Sequence, residues 1–287
     1  MNKKLLLLLA PLLSLAAIII FGLLYFYSKQ QTNLSINFLD VGQGDAIFIK
    51  TPFNQNILVD GGPDSTVLKR LGENLPWWSR TIDLLVLTHP HDDHIIGLNE
   101  IIKRYDVRKI IYTGVVYDSS AYDSWQESVK AYQIPTVIID HPQIINLGKN
   151  CNLEILYPRQ AIYGQSIDNL NNSSLVSKLV CAGVKILLAG DAEQAEEKEL
   201  LQVEADLSAD IIKVGHHGSD TASSEEFLAK VKPQYAIIEV GKNDFGLPSL
   251  RVIKRLERRG VKIYRTDQSG TIVIKKNDQK IEILPER

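Results

Sequence analysis

The sequence predicts an α/β fold, two sheets with helices packed on their outer faces. Two observations carry this. From about Leu34 the chain alternates short β-type runs with amphipathic stretches,. The order is a β-meander, then helix and strand in turn, twice over. No internal repeat of roughly 20–50 residues points to a solenoid or propeller instead. With 287 residues, 45% hydrophobic and 23% charged, the chain has ordinary globular composition and can bury a large core,. Its formal net charge of -2 excludes an overall basic field for nucleic acid,. Any contact with DNA or RNA must use a local patch.

Ahead of this body, Lys3 and Lys4 precede an uncharged apolar stretch from Leu5 to Tyr27. That exceeds the roughly 20 residues needed to cross a bilayer. A cleavable signal has a shorter apolar region and an A-x-A-like site, which Tyr25-Phe26-Tyr27-Ser28-Lys29 does not offer,. Pro11 can kink such a helix without forbidding insertion. Tyr25, Phe26 and Tyr27 suit the membrane–water interface. Residues 1–33 therefore read as a single membrane anchor with a polar tether at 28–33. A signal peptide is the alternative. The body, residues 34–287, is one domain. Lys3 and Lys4 place the N-terminus in the cytoplasm and the body outside the cell membrane, or secreted if the segment is cleaved.

The body's elements follow in order. Ser35-Ile36-Asn37-Phe38-Leu39 alternates as a strand does,. Asp45–Ile49 and Asn56–Val59 complete the meander around a turn with Pro52 and Asn54,. Leu84–Leu87 is an apolar strand, and a helix follows near 93–104. Strands are expected at Lys109–Tyr112 and Thr136–Ile139, with a helix between them from Tyr122 to Tyr132. β-type runs recur at Leu153–Leu156, Ser174–Val180 and Lys185–Leu188. Helices near 192–202, 223–231 and 248–259 alternate with strands at 210–214, 235–240 and 261–264. Gly270–Lys275 and Lys280–Leu284 close the chain. Cys151 and Cys181 form no CxxC pair, so neither a zinc knuckle nor a redox motif is present,. Cys181 sits in the apolar run Leu179-Val180-Cys181-Ala182 and reads as a buried small hydrophobe,. A disulfide is open to an exported domain.

The chemistry concentrates at three strand ends. Thr88-His89-Pro90-His91-Asp92-Asp93-His94 directly follows the Leu84–Leu87 strand. Three imidazoles and a carboxylate at this spacing suit a borderline divalent ion such as zinc or manganese. A turn there lets His89 and His91 face one ion while Asp93 and His94 face another. Lys185–Leu188 runs into Gly190-Asp191, which puts a carboxylate at a second strand tip. Ile211-Ile212-Lys213-Val214-Gly215-His216-His217 does the same with two histidines. Singly, Gly-Asp is a common turn. The recurrence at three tips outweighs any one motif. Of the six histidines only His141 stands alone.

H-x-H-x-D-H after a strand, a later strand ending in Gly-Asp and a still later histidine resemble the metallo-β-lactamase fold superfamily. Phe38-Leu39-Asp40-Val41-Gly42-Gln43-Gly44-Asp45, Leu58-Val59-Asp60-Gly61-Gly62, Asn171-Asn172-Ser173-Ser174-Leu175-Val176 and His216-His217-Gly218-Ser219 look like the hydrolase domain of ComEC-type DNA-uptake (competence) proteins. This resemblance spans about residues 34–284. It implies a four-layer αββα sandwich with the site at one edge of the paired sheets. It implies one or two ions, Zn2+ or Mn2+. His89 and His91 would hold one, Asp93 and His94 the other, with Asp191 between them. One of His216 and His217 would complete the second ion's ligand set. His217 is preferred, with His216 near the scissile group. Many relatives carry another histidine ligand between the first motif and the Gly-Asp strand. Here the Asn171-Asn172-Ser173-Ser174 segment occupies that slot, which leaves the first ion to water or an asparagine oxygen, or leaves one ion only. Asp45 and Asp60 would hydrogen-bond ligands, although an aspartate beside glycine is also a common turn residue. Lys213 and Lys242 either meet phosphate or are solvated.

Such ions lower the pKa of bound water to about 7, making hydroxide available at neutral pH. Asp93 or His216 would handle the proton. The expected activity is phosphodiester hydrolysis, with DNA as substrate, a nuclease of the competence type. One membrane helix cannot itself form a DNA channel. Another extracytoplasmic phosphodiesterase, of phosphocholine or cell-wall type, would use the same site, and lactam hydrolysis is a weaker third reading. A non-catalytic binding module is the reading from a different class. No feature of the sequence names a protein partner.

Overall fold

The computed structural model describes residues 13–22, 33–203, 205–276 and 280–287. Residues 13–22 are helical (α1). Among the described residues no helix is long and apolar enough to cross a membrane. The rest of the Leu5–Tyr27 stretch lies outside the described residues.

The meander forms as expected, with β1 at Ser35–Phe38, β2 at Ile47–Lys50 and β3 at Asn56–Val59. A helix that the sequence reading did not anticipate follows, α2 at Thr66–Asn74. It buries only Val67 and Leu71, so its apolar stripe is a narrow i, i+4 pair,. Next come β4 (Thr81–Ile82), β5 (Leu84–Val86), α3 (Asp92–Arg104), β6 (Asp106–Val107), β7 (Ile110–Tyr112), α4 (Ser120–Ala131) and β8 (Thr136–Ile138). Strands β1, β2, β3, β5, β7 and β8 are consecutive neighbours in an eight-stranded sheet. Its far edge is closed beside β1 by β16 (Ile272–Lys276) and β17 (Ile281–Pro285).

The second sheet has seven strands. β9 (Gln143–Asn146), another unanticipated element, starts it, followed by β10 (Cys151–Ile155), β11 (Ser177–Cys181), β12 (Val184–Leu188), β13 (Ile211–Lys213), β14 (Tyr235–Ile238) and β15 (Lys262–Arg265) in spatial order. Helices α5 (Gln194–Gln202), α6 (Glu225–Val231) and α7 (Leu250–Arg258) connect its parallel part, and a short α8 (Thr266–Ser269) leads back to the first sheet. The expected strand at Ser174–Val180 is corrected. Leu170–Ser173 is a 3-10 turn, and β11 begins only at Ser177.

Strand alternation divides the core into layers. Ile47, Ile49, Ile57, Val59, Leu84 and Val86 of the first sheet meet Leu153, Leu179, Ile186, Leu188 and Ile211 of the second. On the other face of the first sheet, Phe48, Leu58, Leu85 and Ile110 pack under Val67, Leu71, Ile95, Leu98, Ile101 and Trp125. On the outer face of the second, Leu187, Ile212 and Ile238 pack under Leu200, Phe227 and Leu256. The result is the four-layer αββα sandwich. Cys151 and Cys181 face each other across β10 and β11, buried and joined by a disulfide. Cys181 is therefore more than a buried hydrophobe.

The fold delivers strand tips to one edge. β3, β5 and β7 are parallel, as are β12, β13 and β14. α3 is held tightly to that edge. Gly61 N–H donates to His94 O at 2.8 Å, and Gly97 N–H donates to Gly62 O at 3.0 Å. A Cβ on Gly97 would run into the Gly61 carbonyl oxygen. Gly97→Ala is therefore expected to cost about 1–3 kcal/mol of stability, as overpacking does. Urea unfolding of the variant checks this, and an unchanged midpoint would contradict the close approach.

Candidate metal centre

The His89–His94 run leaves the end of β5 and enters α3. Asp92 and Asp93 occupy the first helical turn, where the helix dipole favours negative charge,. The turn places His89 at 1% exposure and His94 at 0%, with His91 and Asp93 part-exposed beside them. Asp191 follows β12 and His217 follows β13, each at 2% exposure. His216 and His217 both have left-handed backbone, φ 46° and 50°. Such backbone is strained for residues other than glycine and recurs at functional sites. It turns His217 inward and leaves His216 nearer solvent.

The donor atoms converge. His89 Nε2 and His91 Nδ1 are 3.0 Å apart. His94 Nε2 lies 3.4 Å from Asp191 Oδ2 and 3.8 Å from Asp93 Oδ1. His217 Nε2 lies 3.1 Å from Asp93 Oδ2 and 3.4 Å from Asp191 Oδ2. Among the described residues four ligand-type groups result, two of them, His89–His94–Asp191 and Asp93–His94–His217, made of residues read as ligands from the sequence, with donor atoms within 4.8 Å of one another. His94 belongs to both, and Asp191 approaches both. All six residues read from the sequence as ligands are brought together.

Neighbours fix the rings. His94 Nδ1 donates to Asp60 Oδ2 at 2.9 Å, which turns Nε2 toward the site,. Asp60 is itself held by Thr88 N–H at 2.8 Å and Thr88 Oγ1 at 2.6 Å. His217 Nδ1 donates to Glu239 O at 2.8 Å, and Asp45 Oδ1 lies 3.4 Å away. Asp45 and Asp60 thus support ligands. Asp40 instead pairs with Arg70 and Arg287, and Gln43 accepts from Gly241 N–H.

Lys213 is the main correction to the sequence reading. It neither meets solvent nor reaches outward. It is fully buried, donates to Gly190 O at 2.7 Å, ion-pairs with Asp45 and lies 3.3 Å from Asp191 Oδ1. Lys242 is exposed. Two acids went unnoticed in the sequence. Glu239, buried just past β14, accepts from Ala46 N–H at 3.0 Å. Glu193 lies 3.0 Å from His216 Nδ1. Glu239 follows the tip of a parallel strand, the same signal that exposed Asp191. His141 is exposed beside Asp140.

This pocket is rich in negative charge and suits cations. Burial opposes protonation of His94, but Asp191, Asp93 and Asp60 outweigh it and hold His94 well above the ordinary imidazole range. Burial likewise opposes charge on His217, yet Asp191 and Asp45 push it up to about 10. Burial would raise Asp191, but His217, His94 and Lys213 hold it well below the usual carboxylate range. For His89 burial dominates and lowers its pKa well below the ordinary value. His94 Nε2 is buried without a hydrogen-bond partner. A nitrogen so placed among carboxylates fits a divalent ion, with protons standing in for it on His94 and His217.

Metal uptake is therefore expected to displace about two protons at pH 7, one each from His94 and His217. His217 keeps its proton below about 10. Metal affinity should accordingly rise with pH from 6 to 9, a range of about three units. Calorimetric titration in buffers of differing ionisation enthalpy measures the release, and uptake without it would contradict the pocket's electrostatics. Asp60→Asn should cost roughly 10–100-fold in metal affinity.

The sequence profile of the Metallo-beta-lactamase superfamily matches residues 39–241. ComE operon protein 3 of Bacillus subtilis is 28% identical over 268 residues, covering 87% of this chain and 34% of that protein. Competence protein ComA of Neisseria gonorrhoeae is 27% identical over 250 residues, covering 84% and 32%. The chain thus spans about a third of the length of the curated relatives it matches. Among solved structures, CmlA, a diiron beta-hydroxylase from Streptomyces venezuelae, superposes with a TM-score of 0.55 at 13% identity, covering 85% of this chain and 54% of that one. That likeness concerns the fold alone.

Proposed function

Since the chain belongs to the metallo-beta-lactamase superfamily, we propose that it is a metal-dependent phosphodiesterase that cleaves DNA outside the cell membrane. One observation carries the hydrolase part. Asp191 lies between two clusters of metal-type ligands, His89 with His91 and His94 on one side and Asp93 with His217 on the other. Similarity to competence proteins supports nucleic acid as the substrate class. The Cys151–Cys181 disulfide supports an oxidising compartment,. Exposed Leu13, Ile18 and Phe21 on α1 support a membrane-seated N-terminus,.

His89, His91, Asp93, His94, Asp191 and His217 would hold one or two ions, zinc or manganese. When bound, divalent ions acidify water and neutralise charge developing on a phosphate. The protein's own groups do the rest. Asp60 and Glu239 O fix the rings of His94 and His217. Lys213 holds Asp191 in place from beneath. Asp93, part-exposed at the pocket mouth, can accept a proton there,. His216, held by Glu193, can deliver one to a leaving oxygen,.

The net charge of -2 favours a second substrate class, a small phosphodiester of phosphocholine or cell-wall type. Such a substrate needs no long-range attraction. A panel of single- and double-stranded DNA, a small phosphodiester and a β-lactam separates the readings. DNA cleavage that vanishes with chelator and in Asp191→Ala is the expected outcome. Intact DNA with a cleaved small phosphodiester would shift the assignment to the second class. Absence of any metal-dependent cleavage would leave a binding module.

A further inference from the structure

We infer that the Asn171 carboxamide oxygen is a ligand for the ion held by His89 and His91. The inference rests on the metal-dependent reading above. Asn171 lies in the 3-10 turn Leu170–Ser173 and is 6% exposed. Its amide orientation is fixed by its neighbours. Nδ2 donates to Glu193 Oε1 at 3.1 Å and lies 3.3 Å from His216 Nδ1. A carboxylate only accepts, so the nitrogen faces Glu193 and the oxygen faces the other way. Burial and the His94 charge lower the His91 pKa, and the Asn171 carboxamide acts against that lowering. Oδ1 is buried and has no hydrogen-bond partner.

A buried carbonyl left unpaired is costly, and a cation relieves that cost. The turn carrying Asn171 is locked to the same site. Ser174 Oγ accepts from Asp191 N–H at 3.1 Å and lies 3.4 Å from His89 Nδ1. The converging nitrogens of His89 and His91, 3.0 Å apart, supply two neutral donors. A carboxamide oxygen adds a third, neutral and hard. A third imidazole in its place would bind zinc more tightly than the carbonyl oxygen does. With fewer charged ligands than the Asp93–His94–His217 cluster, this position binds the weaker of two ions.

The full chain, detergent-solubilised and stripped of metal, is titrated separately with Mn2+ and Zn2+ by calorimetry, with electron paramagnetic resonance counting bound manganese. Wild type should take two manganese ions, one weaker. Asn171→Leu should weaken or abolish the weaker step by about tenfold or more and leave the tighter one unchanged. Asn171→His should strengthen zinc at that step by a similar factor. Unchanged constants in both variants would overturn the inference while leaving the metal-dependent reading standing. Equal weakening of both steps in Asn171→Leu would also overturn it, as a sign of general disruption. A wild-type chain that takes no ion would overturn both.

Discussion

Asp191 lies in the interior, and a carboxylate there has to be met by positive charge,. The surrounding structure answers that demand. Lys213 reaches it from beneath, and His94 and His217 reach it from two sides. Asp45 and Asp60 then hold Lys213 and His94. Neutralisation is incomplete without protons or cations, because Asp45, Asp60, Asp93 and Asp191 crowd one small volume. This imbalance keeps His94 and His217 protonated when no ion is bound, and it is also what attracts one.

The fold makes this crowding possible by geometry. Parallel strands carry their carboxyl ends to a common edge, where each following loop contributes one or two side chains. β5, β12 and β13 supply His89, Asp191 and His217 in this way, and α3 adds His94. The tight seating of α3 on the Gly61–Gly62 turn fixes how deep His94 sits. Left-handed backbone at His216 and His217 divides the pair into one inward and one outward ring. The two-sheet core behind them is apolar, so the polar network is confined to one rim.

Much of the site was legible because ligand residues cluster locally after apolar strands. His89, His91, Asp93 and His94 lie within six positions, and Asp191 and His217 each follow a β-type run. Asp45 and Asp60 were legible as supports only through the resemblance. Lys213 was misread because a strand-edge lysine is ordinarily solvated, and nothing local shows two aspartates closing over it. Glu239 and Glu193 were missed because neither belongs to a histidine cluster. α2 and β9 escaped notice because their apolar patterns are short, and only neighbouring layers give those residues something to bury against.

By itself the sequence determined the order of elements, the two-sheet class and the strand ends at which metal-type side chains gather. Periodicity and residue chemistry are local properties and are written along the chain. The tertiary structure alone decided which ring nitrogen faces the site, which of His216 and His217 turns inward, that Cys151 and Cys181 pair, and that Lys213 serves Asp191. These depend on distances between residues far apart in sequence. Charge and hydrogen-bond direction become specific only when folding excludes water and brings such groups within about 3 Å of each other.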